Sequence, residues 1–112
     1  MSPKRSISSK EGFSDIFDNQ DQKYSTKNIL ILSKDNSLGY SRIGVAIRKK
    51  ENRLAVDRNN IKRKIKGSFL AKVLELPHKD FVVYVKKNLK GKEEELKKDL
   101  DKIWRKFTVN ND

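Results

Sequence analysis

An apolar side chain recurs at every fourth position between Asp57 and Leu74, in a stretch that is otherwise rich in basic residues. The recurring positions are Ile61, Ile65, Phe69 and Val73, with Leu70 and Leu74 beside them. A step of four residues returns to nearly the same side of an α-helix, so the stretch predicts a helix with one buried edge. Pro77 ends the predicted helix because proline lacks the backbone N–H that a helix needs.

Three other segments have the patterns of β-strands. In "SRIGVAIRKK", Ile43, Val45 and Ile47 point to one face, while Gly44 and Ala46 point to the other. These two residues are small, so a helix can pack closely on their face. The segments "NILIL" (28–32) and "DFVVYVKK" (80–87) are apolar enough to be buried strands, and the second is predicted to be central.

Two further helices are predicted near the ends of the chain. The first begins at Ser8 or Ser9 and continues to Phe17, and the last runs from Lys92 to Phe107. The core face of the last helix is made by Leu96, Leu100, Ile103, Trp104 and Phe107. The segment "DNQDQKYST" is interpreted as a loop, and a further short strand around 54–56 is compatible with the pattern. The element order predicts an α+β fold with a sheet covered by helices.

The composition limits the classes of partner. The chain has 112 residues, which predicts a single domain over 1–112, and its 27 Lys and Arg against 15 Asp and Glu give a net charge of +12. This excess favours a polyanionic partner, with nucleic acid the leading candidate and an acidic membrane surface the second. Because 35% of residues are apolar, a mobile tail over 1–8 and a frayed end over 108–112 are expected.

Other classes are excluded or disfavoured by what the sequence lacks. There is no cysteine and only one histidine, His78, so disulfides, thiolate metal sites and His-rich metal sites are unavailable. The first residues have no apolar signal-peptide core, and no apolar run approaches the roughly 18–20 residues that span a bilayer. These observations predict a cytoplasmic protein without a membrane partner.

The charged face of the basic helix differs from an ordinary solvated face. Arg58, Lys62 and Lys66 form one stripe, Asn59 and Arg63 form a second, and no acidic residue lies within either. Like charges at this spacing repel each other, whereas the last helix interleaves both signs in "KEEELKKDLDK". Asp57 is expected to cap the start of the helix. The pattern is compatible with a merely solvated surface, but it favours phosphate binding.

The order of residues in this helix resembles a known signature. "AVDRNNIKR" at 55–63 is similar to the Ala-Val-x-Arg-Asn-x-x-Lys-Arg signature of the bacterial ribonuclease P protein component, and "KEGFSDIF", "RIGVAIRKK" and "DFVVYVKK" resemble other segments of that family. Asn60 and Gly67 depart from its usual residues. The resemblance implies an α-β sandwich with a mixed, roughly four-stranded sheet and about three helices. It also implies a left-handed βαβ crossover, where general handedness rules predict a right-handed one.

The same resemblance implies a function. The partner would be a large catalytic RNA, and the pair would cleave precursor tRNA to release its 5′ leader. Hydrolysis would depend on Mg²⁺ held on the RNA, with no cofactor bound by the chain alone and no protein partner required. The residues agree, because they contain no paired carboxylates, histidine-based acid and base, or activated nucleophile. The chain would therefore act as the binding and positioning subunit of an endoribonuclease.

The resemblance also assigns roles to particular residues. The residues expected to face the catalytic RNA are Arg58, Asn59, Lys62, Arg63 and Lys66, and the basic surface is extended by Arg48, Lys49 and Lys50. Phe13 and Phe17 resemble the aromatics that line the family's leader-binding cleft, although two such residues on a short helix are also typical of a core. Ile31, Gly44 and Ala46 are candidates for the floor of that cleft.

The remaining candidates have structural interpretations. Tyr84 and Trp104 are interpreted as core residues, and His78 as a loop residue. Asp80 is interpreted as a strand start, and Asp99 as a surface charge of the last helix. Two other functions stay open on the residues alone: a structural or ribosomal RNA-binding protein without a role in cleavage, and a DNA-binding module that places the basic helix in a major groove.

Overall fold

The computed structural model describes residues 6, 7 and 9–109. The elements in this part follow the order α1 (Ser9–Asn19), β1 (Gln22–Ser25), β2 (Ile29–Asp35), β3 (Arg42–Ile47), α2 (Ala55–Lys72), β4 (Lys79–Val85) and α3 (Glu93–Val109). Three helices and four strands in this arrangement confirm the predicted α+β class.

The four strands form one mixed sheet with the order β1-β2-β4-β3. Strand β2 is antiparallel to both β1 and β4, whereas β3 is parallel to β4. Strand β4 is thus an inner strand between β2 and β3, as its apolar sequence predicts. Helix α2 connects the parallel neighbours β3 and β4, and the left-handed sense of this crossover stays a prediction from the family resemblance.

The larger core lies between the sheet and helices α2 and α3. Phe69 of α2, Phe81 of β4 and Trp104 of α3 are fully buried, with ring centroids 5.5–6.1 Å apart. The indole Nε1 of Trp104 donates a hydrogen bond to Ser68 Oγ at 3.0 Å, which satisfies its polar atom inside the core. The predicted packing role of Trp104 is confirmed.

Helix α1 packs on the opposite face of the sheet. Ile16 of α1 is buried against Leu32 and Val82. A Cβ atom at Gly44 would collide with the ring of Phe13, so only glycine allows the helix to approach this closely. The prediction of close helix packing on the small residues of β3 is therefore confirmed.

The segment before α1 adds to the exposed edge of β3. Ser6 forms a parallel bridge with Ile43, and the Ile7 amide donates a hydrogen bond to the Ile43 carbonyl at 2.8 Å. The Ile7 side chain is buried in the α1 core. The mobile tail was predicted over 1–8, and 1–5 and 8 of it lie outside the described residues. At the other end, α3 extends to Val109, and 110–112 also lie outside the described part.

Two local predictions are wrong. The predicted loop "DNQDQKYST" contains β1, a strand whose sequence is polar except for Tyr24. The ring centroid of Tyr24 lies 5.0 Å from that of Phe107. The strand considered for 54–56 is instead the start of α2, where the Arg58 amide donates to the Leu54 carbonyl at 3.1 Å. Leu54 and Val56 are exposed there.

The apolar edge of α2 is narrower than the sequence predicts. Ile61, Ile65 and Phe69 are buried, but Leu70 and Leu74 are 54% and 94% exposed. Each step of one residue rotates about 100° around a helix, which turns Leu70 away from the edge that Phe69 occupies. The helix also ends at Lys72, before Leu74 and well before Pro77.

Candidate nucleic-acid interface

The basic side chains of α2 lie on the part of its surface that does not contact the core. Lys62 and Arg63 are exposed, as is Asn59, while Arg58 and Lys66 are half-buried. With about 100° of rotation per residue, Arg58, Lys62 and Lys66 follow one flank of the buried edge. Asn59 and Arg63 lie further round the helix. The continuous helix thus brings together all five residues that were predicted to face RNA.

These cations are not neutralised within the described part of the chain. There, Lys72 with Glu75 is the only ion pair that an α2 side chain makes, with Nζ and Oε2 3.9 Å apart beyond the basic stripes. Asp57 lies in the first turn but is not the cap, which is Leu54 without a side-chain hydrogen bond. The stripes therefore remain available to an external anion.

Arg58 also has a structural contact that the sequence does not reveal. Its Nη1 donates hydrogen bonds to the carbonyls of Asn52 at 3.0 Å and Arg53 at 2.7 Å. These bonds brace the loop that leads into α2 against the first turn of the helix. Arg58 is therefore both a cation of the stripe and a support for the loop before it.

The basic residues after β3 differ in how they are paired. Arg48 forms a two-point ion pair with Glu51, with Nε 3.2 Å from Oε2 and Nη2 in contact with Oε1. The hydrogen bonds from Arg48 lower the pKa of Glu51, and the same contact raises the pKa of Arg48. Lys49 and Lys50 are exposed in the adjoining turn. The charge of Arg48 is thus offset locally, whereas no ion pair is found for the two lysines among the described residues.

Asn52 is a buried polar residue that the sequence pattern does not single out. Only 2% of it is exposed. Its Nδ2 donates to the Lys87 carbonyl at 3.0 Å, and its Oδ1 accepts from the Leu89 amide at 3.2 Å. Asn52 therefore joins the loop after β3 to the loop after β4. No local sequence pattern identifies such a contact, because its partners are more than thirty positions away.

A second surface, here called the cleft face, lies between α1 and the sheet. Its partly exposed side chains are Phe13, Phe17, Leu30, Ala46 and Tyr84. The ring of Phe17 is 38% exposed and stands edge-on to Tyr84, with centroids 6.3 Å apart. Phe13 is half-buried on Gly44. The two aromatics of α1 thus differ, since Phe13 holds the helix to the sheet and Phe17 offers a ring at the surface.

One residue that was predicted to form the floor of the cleft face, Ile31, does not lie there. Ile31 is fully buried in the core on the other side of the sheet, so it cannot line the cleft face. Leu30 packs with the α1 core instead, because successive residues of a strand point to opposite faces. Tyr84, predicted as a core residue, is half-buried on the cleft face and pairs with Phe17.

Two acidic residues outside these surfaces stabilise the fold through hydrogen bonds. Asp80 forms a two-point ion pair with Arg42 at 2.7 and 2.8 Å and accepts a hydrogen bond from Asn36 at 2.8 Å. Burial raises the pKa of Asp80, but the hydrogen bonds from Arg42 and Asn36 outweigh burial and lower it overall. Asp99, interpreted from sequence as a surface charge, accepts from Thr26 Oγ1 at 2.9 Å and Asn28 Nδ2 at 3.1 Å.

Metal-binding clusters and membrane-spanning helices are both absent from the described part of the chain. Among residues 6, 7 and 9–109, no group of three His, Asp or Glu side chains is arranged to hold a metal ion. His78 is exposed in the loop before β4, as predicted. Over the same residues, no helix is long and apolar enough to cross a membrane.

Sequence comparisons give the context for this fold and surface. Residues 1–108 match the profile of the Ribonuclease P family. The chain is 36% identical over 99 residues to the ribonuclease P protein component of Stutzerimonas stutzeri, covering 88% of this chain and 76% of that protein. It is 43% identical over 88 residues to that of Escherichia coli O157:H7, covering 78% and 74% of the two chains.

Solved structures agree on the fold. The ribonuclease P protein of Staphylococcus aureus superposes with a TM-score of 0.81 at 21% identity, covering 92% of this chain and 94% of that one. The Thermotoga maritima protein superposes with a TM-score of 0.73 at 23% identity, with the same coverage.

The α+β fold and the strongly basic helix α2 define the chain as a small basic α+β protein. The family match over nearly the whole chain then makes the assignment specific. The chain belongs to the ribonuclease P protein family, as the protein component of that ribonucleoprotein enzyme of tRNA processing. The RNA of ribonuclease P is accordingly the RNA with which it works.

Proposed function

We propose that α2 binds the sugar-phosphate backbone of the ribonuclease P RNA through Arg58, Asn59, Lys62, Arg63 and Lys66. Lysine and arginine bind phosphate and release its counterions, and asparagine can bond to phosphate, sugar or a base edge. Lys49 and Lys50 extend this surface beyond the end of β3. Arg48 contributes less to it, because Glu51 already occupies its guanidinium.

The cleft face is proposed to bind the 5′ leader of precursor tRNA. Phe17 offers an exposed ring beside Tyr84, and a base stacked on an aromatic ring gains roughly 1–3 kcal/mol whatever its identity. Such a contact suits leaders of varied sequence. Phe13 supports this surface by holding α1 on Gly44.

The chain's own residues are proposed to bind and orient the RNA while the chemistry takes place at the phosphodiester bond. The cations of α2 hold the catalytic RNA, and the cleft face holds the leader, so that the cleavage site is positioned between them. Magnesium ions, expected on the RNA, would supply an activated water and stabilise the charge that develops at the phosphate. The cytoplasm is the proposed location of this reaction.

One observation carries this proposal most strongly: the basic stripes of α2 are not neutralised by carboxylates within the described residues. Reconstitution tests it. The protein is mixed with a bacterial ribonuclease P RNA and precursor tRNA at low magnesium, with and without a 5′ leader on the substrate. We expect faster cleavage and tighter binding of the leader-bearing substrate. Neither gain would be seen if the chain only scaffolds an unrelated RNA.

A further inference from the structure

Two basic loops leave the same end of the sheet, because β3 and β4 are parallel neighbours. They are the β3–α2 loop (48–54) and the β4–α3 loop (86–92). Together they contain one acidic residue, Glu51, and eight basic residues, namely Arg48, Lys49, Lys50, Arg53, Lys86, Lys87, Lys90 and Lys92. Like charges this numerous repel each other, so the two loops need an attractive contact to stay together.

Asn52 supplies that contact. Its side chain donates to the Lys87 carbonyl and accepts from the Leu89 amide, and its own amide donates to the Arg48 carbonyl at 3.3 Å. With 2% of the residue exposed, these bonds are shielded from water. The backbone of one loop is therefore held at a set distance from the backbone of the other.

The side chains around this contact face outward. Lys49, Lys50 and Arg53 are exposed on one loop, and Lys87 and Lys90 are exposed on the other. Within the described residues, no ion pair is found for any of these five. Arg58 links the same assembly to α2, since it donates to the Asn52 and Arg53 carbonyls.

We propose that Asn52 is a positioning residue that makes the two loops act as one phosphate-binding surface continuous with α2. The ligand is the phosphodiester backbone of RNA, either of the catalytic RNA or of precursor tRNA. Cations held in one rigid arrangement bind several phosphates at once, and each bound phosphate raises the effective concentration of the next. This inference rests on the proposed function, and it adds the β4–α3 loop to the RNA-binding surface.

The first test compares two substitutions that each remove a partner from a buried hydrogen bond. Asn52→Ala breaks both bonds between the loops, whereas Ser68→Ala removes the acceptor of the Trp104 indole between α2 and α3. Both variants should lose stability to chemical denaturation. Only Asn52→Ala should also weaken RNA binding, by about tenfold, and lower the dependence of log K on log salt by about one unit.

The second test matches charge and covers the case in which Asn52→Ala does not fold. Asn52→Asp keeps the bond from the Leu89 amide but replaces the donor to the Lys87 carbonyl with an acceptor. Asn88→Asp adds the same charge in the facing β4–α3 loop, at an exposed side chain that accepts from the Lys90 amide and can continue to do so. Asn52→Asp should weaken RNA binding more than Asn88→Asp.

Each binding experiment has two arms, one with the catalytic RNA alone and one with the holoenzyme and leader-bearing precursor. A selective loss for the Asn52 variants in the first arm assigns the surface to the catalytic RNA, and a loss confined to the second assigns it to the precursor. Equal binding by Asn52 variants and their controls in both arms overturns the inference alone. If the wild-type chain binds neither RNA, both the proposed function and this inference are wrong.

Discussion

Helices α2 and α3 have nearly the same length and pack side by side on the same face of the sheet, but their charged surfaces differ. Helix α2 contains six basic residues and one acidic residue, whereas α3 contains five of each. Both bury an apolar edge in the same core. A helix with a balanced surface therefore packs equally well, and the excess of positive charge on α2 is not needed for folding.

The repulsion among the cations of α2 supports an external anionic partner. Like charges three or four residues apart destabilise an isolated helix by a few tenths of a kcal/mol per pair. Helix α2 accepts that cost without internal carboxylates along its stripes, within the described residues. Helix α3 avoids it. The comparison indicates that the surface of α2, whose charge the fold leaves unbalanced, is the surface that binds an anionic ligand.

The largest effect is expected from neutralising the two helices separately. Replacing Lys62, Arg63 and Lys66 with alanine should lower the salt dependence of RNA binding by about three units, one for each phosphate that the variant no longer binds. Replacing Lys97, Lys98 and Lys102 of α3 removes the same charge from exposed positions and should leave the slope nearly unchanged. Titrations over a range of salt concentrations measure both slopes, and equal slopes would remove the distinction between the helices.

The next effect concerns the cleft face. Phe17→Ala should weaken binding of leader-bearing precursor to the holoenzyme by roughly 1–3 kcal/mol, because the variant has no ring for a base to stack on. Binding of mature tRNA should not change. Leu38→Ala is a matched control, since Leu38 is a similarly exposed apolar residue in the loop between β2 and β3. A loss of the same size for mature tRNA would show that Phe17 supports the fold rather than the leader.

A smaller effect should separate two cations of the same stripe. Arg58→Ala removes the donor to the carbonyls of Asn52 and Arg53, so the free energy of unfolding should fall by about 1–2 kcal/mol in addition to a loss of RNA affinity. Lys62→Ala should change the unfolding free energy by no more than about 0.5 kcal/mol, because its side chain is exposed and unpaired among the described residues. Denaturant titration of both variants checks this difference, which vanishes if Arg58 acts only as a surface charge.

The smallest effect concerns a cation that the fold does neutralise. Asp80→Asn should reduce stability by about 1 kcal/mol at neutral pH, since it removes the ion pair between Asp80 and Arg42, and should leave RNA affinity unchanged. The pKa of Asp80 is lowered in the folded state, so the stabilisation is complete above the ordinary pKa of about 4 and is lost as the pH falls through the lower folded value. The stability difference between wild type and variant should therefore shrink on acidification; a difference that persists at low pH would refute the role of the ion pair.

Much of the fold can be predicted from periodicity, and the failures have physical causes. The apolar repeats identify α2 and α3, and the alternation of apolar residues identifies β3. In each element the buried side chains recur at the period of a helix or a strand. Strand β1 could not be predicted, because a short edge strand with a single apolar side chain has almost no hydrophobic pattern. The prediction for Ile31 chose the wrong face because an apolar run buried on both sides carries no alternation.

The candidate site divides in the same way. The cations of α2 can be predicted because they lie on one helix, where spacing alone places them together. The contacts of Asn52 and Asp99 cannot, because each joins segments far apart in the chain. Arg58 has one predictable and one unpredictable role. Its position in the basic stripe follows from helix spacing, whereas its hydrogen bonds to the preceding loop depend on how that loop folds.

Chemical modification of lysines tests the central claim within a single molecule. The protein alone and its complex with ribonuclease P RNA are treated briefly with an acetylating reagent, and the modification of each lysine is measured by mass spectrometry. Lys62 and Lys66 of α2 should become protected in the complex, while Lys97, Lys98 and Lys102 of α3 should react equally in both states. Protection of the α3 lysines with unchanged reactivity at Lys62 and Lys66 would contradict the assignment of α2 as the RNA-binding helix.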